Sequence, residues 1–289
     1  MPDPLATVIL SLLTLLALSA SIIAAGRLRR RDAPPHLRKI QYSLTGICLL
    51  GAIGLVVYRA VSRGDTWLPL GSHLDGLLLI AVLFSLTFLF VQRALVRGLT
   101  AFALPLLTVM LAWAVCASAW TYEPFVIQSL WRGVHLGSVY LGSLALCTAA
   151  AAGAMYLYVQ RRLHRHRGPA GVQRLASLEG IERFNISSAT IGFALLTLAL
   201  VTGLIIVLNR DQTRLGEQWW SSPKVLLAAA VWLIYAIVMN VRYATAFRGA
   251  RAAWLSIAGV VLLVAVFTAA HDLPDVPPGM GIEQTGAAP

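Results

Sequence analysis

The sequence predicts an all-α, polytopic membrane protein with about eight transmembrane helices and both termini outside, and three observations carry that prediction. Of its 289 residues 58% are hydrophobic and only 12% are charged, a balance too apolar for a chain whose surface must be wetted. Uncharged runs recur at close to the roughly 20 residues that a helix needs to cross about 30 Å of hydrocarbon. The basic residues between these runs fall mostly in alternate gaps, as the positive-inside rule requires of a multi-pass chain.

The first run, Leu5–Ala25, has no basic segment ahead of it, is long enough to span, and is followed by arginines. It therefore reads as a membrane helix and not as a secretory leader. Tyr42–Tyr58, Leu74–Val91 and Leu99–Ala119 are the second, third and fourth spans, and Val134–Val159, which opens at His135, is the fifth. The gap Arg161–Arg183 reads RRLHRHRGPAGVQRLASLEGIER: a charge run in which His164 and His166 are solvated, a Gly-Pro-Ala-Gly break, then a short helix re-entering the membrane. Ile186–Leu208 is the sixth span, Val225–Val241 the seventh, and Ala253–Ala270, which ends at His271, the eighth.

The formal net charge of +11 is an orientation signal, not a nucleic-acid footprint. Of 23 Lys and Arg, 17 fall in the gaps after the first, third, fifth and seventh spans. Arg59, Arg63, Arg132, Arg210, Arg214 and Lys224 fall in the other gaps. The first set belongs inside, which puts both termini and the second set outside.

Several chemistries have no support. Cys48, Cys116 and Cys147 lie in separate spans without a Cys-x-x-Cys pair, which speaks against thiol redox catalysis and against covalent haem attachment to this chain. There is no phosphate-binding Gly-rich loop, no His-Glu-x-x-His, no zinc spacing and no buried acid pair, so neither an enzyme nor an ATP-driven pump is expected. No internal repeat of the kind found in inverted-topology transporters is visible.

The outer gaps concentrate what remains. Trp67, Trp120, Trp131, Trp219 and Trp220, five of eight tryptophans, lie there with His73, His135 and His271. An aromatic belt is two-sided; on the inner side only Trp254 is placed to join one, so a binding surface competes with the belt reading. His135 and His271 sit at matched outer depth on the fifth and eighth spans, where two imidazoles suit the opposite faces of one haem iron. In the stretch EQWWSSPKV, Ser222 is a helix N-cap, Pro223 suits the first helical position, and Lys224 can snorkel toward water or a propionate. Trp219 and Trp220 just ahead of it offer flat apolar area at the membrane surface.

Gly216–Arg242, GEQWWSSPKVLLAAAVWLIYAIVMNVR, resembles the tryptophan-rich segment of the membrane cytochrome c assembly family, the CcsA/ResC and HemX-like proteins. Ser177–Ile205 resembles the segment before it, with Leu-Glu ahead of a span that reads Gly-Phe-x-Leu-Leu-Thr and ends in Gly. Leu68–Leu79 resembles the family's approach to an early span, with Asp75 in its acidic position. Val134–Gly142 resembles the outer His at the head of a span, and Arg248–Leu263 the last helix.

The resemblance implies two N-terminal helices over residues 1–67, a six-helix assembly domain over 68–271 with a tryptophan-rich outer loop, and an outer tail over 272–289. It implies non-covalent haem b held at the outer face of a bacterial cytoplasmic membrane by His135 and His271 as axial ligands, with Trp219, Trp220, Pro223 and Lys224 around it. Delivery to apocytochrome c, and a partner membrane subunit with a large outer domain, follow from the same likeness, as does the absence of turnover chemistry. Ser222 stands where the family has Asp, Val225 where it has Glu, Asn240 where it often has His and Ile206 where it often has Trp. Those departures keep open a HemX-like regulatory or scaffold role in haem synthesis, and a belt of tryptophans keeps open a small-solute transporter.

Overall fold

The computed structural model describes residues 4–29, 34–64, 73–94, 98–118, 130–164, 176–208, 223–240 and 249–269. Helices fill them, and among the described residues there is no strand. They are α1 (Pro4–Arg29), α2 (Pro35–Arg63), α3 (His73–Ala94), α4 (Thr100–Ser118), α5 (Leu130–His164), α6 (Leu178–Leu208), α7 (Pro223–Asn240) and α8 (Ala250–Ala269). A helix satisfies every backbone N–H and C=O within its own segment, which is what a hydrocarbon medium demands.

Each expected span falls on one helix, and the helices run up to two turns past the apolar stretches. The apolar boundary limits burial in lipid but does not end a helix, and so SLEGIER, expected as a separate short element, contributes the first turns of α6 from Leu178 onward. Four helices, α1, α2, α5 and α6, are long and apolar enough to cross a membrane by length and composition. The other four are apolar helices of 18 to 22 residues. At 1.5 Å per residue that is about 27–33 Å, close to the hydrocarbon thickness.

Neighbours in sequence run antiparallel. Thr7 of α1 donates to Ser118 Oγ of α4 at 3.2 Å, so the start of α1 lies beside the end of α4. At the opposite end of α1, Tyr158 Oη and Arg162 Nη2 of α5 both donate to the Leu28 carbonyl at 3.0 Å, and Arg27 donates to Gln41 of α2. The Arg161 guanidinium lies 5.9 Å from the ring of Trp254, joining the end of α5 to the start of α8. Glu182 of α6 accepts from the Gly249 N–H at 3.1 Å, supplying a partner for a backbone donor at the entry to α8.

The centre of the bundle is α5, which packs on α6, α8, α4 and α3. Its run of Ala149, Ala150, Ala151 and Ala152 is buried on every side. Lipid tails are as apolar as a leucine, so helices in a bilayer associate through close van der Waals contact and interhelical hydrogen bonds, and small residues permit both. At Gly153 an added β-carbon would stand 2.9 Å from the Ala253 carbonyl oxygen and 3.1 Å from Asn185 Nδ2. Beside it Asn185 Nδ2 donates to the Ala149 carbonyl at 3.0 Å, Ser256 Oγ donates to Asn185 Oδ1 at 3.1 Å, and Tyr235 Oη donates to the Ser256 carbonyl at 3.1 Å. One polar seam thereby ties α5, α6, α7 and α8. Many large apolar side chains face outward, Leu12, Leu15 and Ile22 on α1 and Ile191, Leu198 and Leu204 on α6 among them.

Replacing Gly153 by Leu is expected to cost on the order of 1–3 kcal/mol or more through overpacking against α8. The thermal midpoint of detergent-solubilised protein checks it, with Leu12→Ala on the outward face of α1 as the near-neutral comparison.

Candidate functional site

His135 is in the second turn of α5, half-buried against α6. Its Nδ1 lies 2.8 Å from the carbonyl oxygen of Ala199. A carbonyl oxygen can only accept, so Nδ1 carries the hydrogen, and in the neutral ring Nε2 holds the lone pair. Metal-binding imidazoles commonly have this arrangement, one ring nitrogen fixed on a carbonyl or carboxylate and the other left with the basic lone pair.

The antiparallel packing brings further elements to the same end. Trp232 Nε1 of α7 donates to Thr197 Oγ1 of α6 at 3.0 Å, which joins the middle of α7 to the second half of α6. Pro223 is the first residue of α7 and Lys224 the second, as the Ser-Pro pattern predicts. α8 ends at Ala269, two residues before His271. Trp219, Trp220 and His271, with the side chains of Pro223 and Lys224, lie outside the described residues. Among the described residues no group of three or more His, Cys, Asp and Glu side chains is placed to hold a metal ion. A small void lined by Thr45, Ser85, Phe88, Thr100 and Leu104 sits at the opposite end of α2, α3 and α4.

The end that carries His135 also carries a buried ion pair. Arg59, near the end of α2, is 5% exposed and Asp75, in the first turn of α3, is 3% exposed. Arg59 Nε donates to Asp75 Oδ1, and Arg59 Nη2 reaches Asp75 Oδ2 at 3.2 Å. The half-exposed Arg63 approaches the same Oδ2 at 3.5 Å. Asp75 also lies in the first turn of α3, at the positive end of the helix dipole. Tyr140, one and a half turns beyond His135 on α5, covers Gly76, where a β-carbon would collide with the phenol ring.

Residues 70–269 match the model of the cytochrome C assembly protein family. This chain belongs to the cytochrome c assembly protein family. The cytochrome c biogenesis protein CcsA of Synechococcus sp. strain RCC307 is 24% identical over 246 residues, covering 75% of this chain and 76% of that protein. CcsA of Prochlorococcus marinus strain MIT 9303 is 24% identical over 250 residues with the same coverage. The inner membrane protein YpjD of Escherichia coli strain K12 is 28% identical over 134 residues, 46% of this chain and 48% of that protein. With its apolar helices the chain is an integral membrane member of the cytochrome c assembly family.

Within that family frame the structure adds residues that sequence patterns do not single out. Arg59 counts in the sequence as one of the outer-gap charges, yet it is buried in a bidentate pair. The signal available was an arginine ending one apolar run and an aspartate opening the next, with Arg63 and Asp65 in the gap between them. The Ala199 carbonyl that orients His135 is invisible to pattern reading because the acceptor is backbone. Asn240, which stands where the family often has His, donates its amide to the Ala236 carbonyl of its own helix at 2.8 Å.

Asp75→Asn is expected to destabilise the protein by about 3–5 kcal/mol, because it leaves the Arg59 guanidinium buried without its counter-charge. An apolar replacement of both, Arg59→Met with Asp75→Leu, is expected to recover most of the loss. Thermal unfolding of the single and double variants in detergent measures this.

Proposed function

We propose that this protein acts in cytochrome c biogenesis by holding non-covalent haem b at the outer face of a bacterial cytoplasmic membrane and presenting it to apocytochrome c. The observation that carries this reading is the orientation of His135, whose Nδ1 is committed to the Ala199 carbonyl so that Nε2 is the nitrogen suited to iron. Family membership supports the role in cytochrome c biogenesis. When bound, haem supplies an iron that accepts imidazole nitrogen, a wide apolar plane and two carboxylates.

The remaining parts are assigned from the sequence. His135 and His271, two residues past the end of α8 in the sequence, would be the nitrogen ligands of the iron. Trp219 and Trp220 would provide flat apolar contact, and Pro223, three residues on in the sequence, starts α7. Lys224, Arg132 or Arg214 would meet the propionates; an anionic partner suits Lys224 because a lysine in the first turn of a helix opposes the helix dipole. Excess Lys and Arg at the other end supports placing this end outside. The protein would hold and hand over haem without bond-making chemistry of its own, beside a second membrane subunit that contributes an outer domain.

A second reading, a HemX-like regulatory or scaffold protein, is favoured by Asn240, which replaces a frequent His and folds back onto its own helix. Deletion separates the two: loss of c-type cytochromes belongs to delivery, and altered levels of haem-synthesis enzymes belong to regulation.

Purified protein is expected to show a b-type, bis-imidazole reduced-minus-oxidised spectrum that His135→Ala and His271→Ala each remove or shift. An unchanged spectrum in both variants would overturn the ligand assignment, and no haem in the wild type even after loading with haemin would overturn the haem reading.

A further inference from the structure

We infer that Gly203 is a positioning residue for the His135 imidazole, holding it in the tautomer and tilt that direct Nε2 toward a metal. The inference rests on the reading of His135 as a haem ligand and adds to it the device that sets the ring.

The geometry is confined to one turn of α6. The Ala199 carbonyl would ordinarily accept only from the backbone N–H four residues on, that of Gly203. Here His135 Nδ1 reaches the same oxygen at 2.8 Å, and the Thr202 hydroxyl lies 3.1 Å from it while donating to the Leu198 carbonyl at 2.7 Å. For the ring to get there it must lie against the helix at position 203. A β-carbon on Gly203 would stand 3.0 Å from His135 Cε1 and 3.2 Å from Nδ1, tighter than ordinary carbon contacts. The ring would have to withdraw by a few tenths of an ångström, and a directional hydrogen bond weakens quickly as its angle degrades. The missing side chain at 203 thus opens a seat for an imidazole, and the Ala199 carbonyl fixes which of its nitrogens is protonated. Without that bond Nδ1 and Nε2 exchange roles freely, and part of the population presents an N–H where a ligand needs a lone pair.

Helix propensity alone makes the opposite prediction. Glycine in a helix interior is a poorer helix former than alanine, so Gly203→Ala would be neutral or favourable if only helix stability were involved. Gly142 on the facing helix is the internal comparison, since a β-carbon there would meet Leu195 Cβ at an ordinary 3.4 Å.

The test uses the full chain in detergent as wild type, Gly203→Ala, Gly142→Ala and His135→Ala. Titration with haemin is expected to show about a tenfold or greater loss of affinity and a shifted spectrum for Gly203→Ala, in line with the 10- to 100-fold cost of removing partners that orient metal ligands. Gly142→Ala should bind like the wild type. In haem-free protein labelled with 15N-histidine, the resonances that disappear in His135→Ala should report a neutral ring protonated at Nδ1, and in Gly203→Ala those resonances should move toward the other tautomer. Wild-type affinity, spectrum and tautomer in Gly203→Ala overturn the inference, as does a wild-type His135 protonated at Nε2, a result that needs no variant to fold. Haemin binding undisturbed by His135→Ala overturns the ligand reading instead, and the nitrogen spectra then decide the seat on their own.

Discussion

The structure depends first on how closely α5 can approach its neighbours. In a hydrocarbon medium no apolar area is hidden from water when two helices meet, so the helices must gain from backbone proximity and from hydrogen bonds that lipid cannot supply. The run from Thr148 to Gly153 gives α5 a surface with almost no side-chain depth, and all of it is buried. That lets α6 reach Ala149 with Asn185 and lets α8 lay the Ala253 carbonyl over Gly153. A buried asparagine without partners would be costly; here its amide donates to α5 and its carbonyl accepts from Ser256, so the same residue closes a three-helix junction.

That junction sets the geometry of the far end as well. Asn185 meets Ala149 and Ala199 meets His135, and the separation along each helix is the same, fourteen residues or about 21 Å. Both contacts therefore obey one antiparallel register of α5 against α6. A slide of one residue at the alanine stripe would carry the imidazole about 1.5 Å along α6 and away from its carbonyl. The seam near one end of the bundle and the histidine near the other are two readings of a single alignment, which is how packing remote from His135 sets the angle of its ring.

Much of this was legible in the sequence. Uncharged runs locate all eight helices because length and polarity are what a bilayer tests, and the Ser-Pro pair locates the start of α7 because proline at the first helical position sacrifices no hydrogen bond. Less legible were partnerships between residues far apart in the chain. Nothing local marks Arg59 as buried, since an arginine at the end of a span also reads as a solvent-facing charge; it takes Asp75 on the next helix to hold it in. The orienting partner of His135 is a main-chain oxygen, identical at every position of every helix until the fold selects Ala199. Trp219, Trp220 and His271 were singled out by composition and resemblance, and their assignment rests on those grounds.

The two ends of the bundle use charge in opposite ways, and the contrast bears on function. At the end with Arg27, Arg161 and Arg162, cations close helix termini and lie over aromatic rings, where an arginine can keep its stem in apolar surroundings and its head near water. At the end with His135 one described pair is buried, Arg59 on Asp75, with the half-exposed Arg63 beside it. Taking an ion pair out of water seldom gains stability over an apolar pair of the same shape, so its presence points to a need that packing alone does not meet. A rigid junction between α2 and α3, braced by Tyr140 over Gly76 from the helix that carries His135, meets such a need. It ties the end of α2 and the start of α3 to Tyr140 of α5, the helix that carries His135.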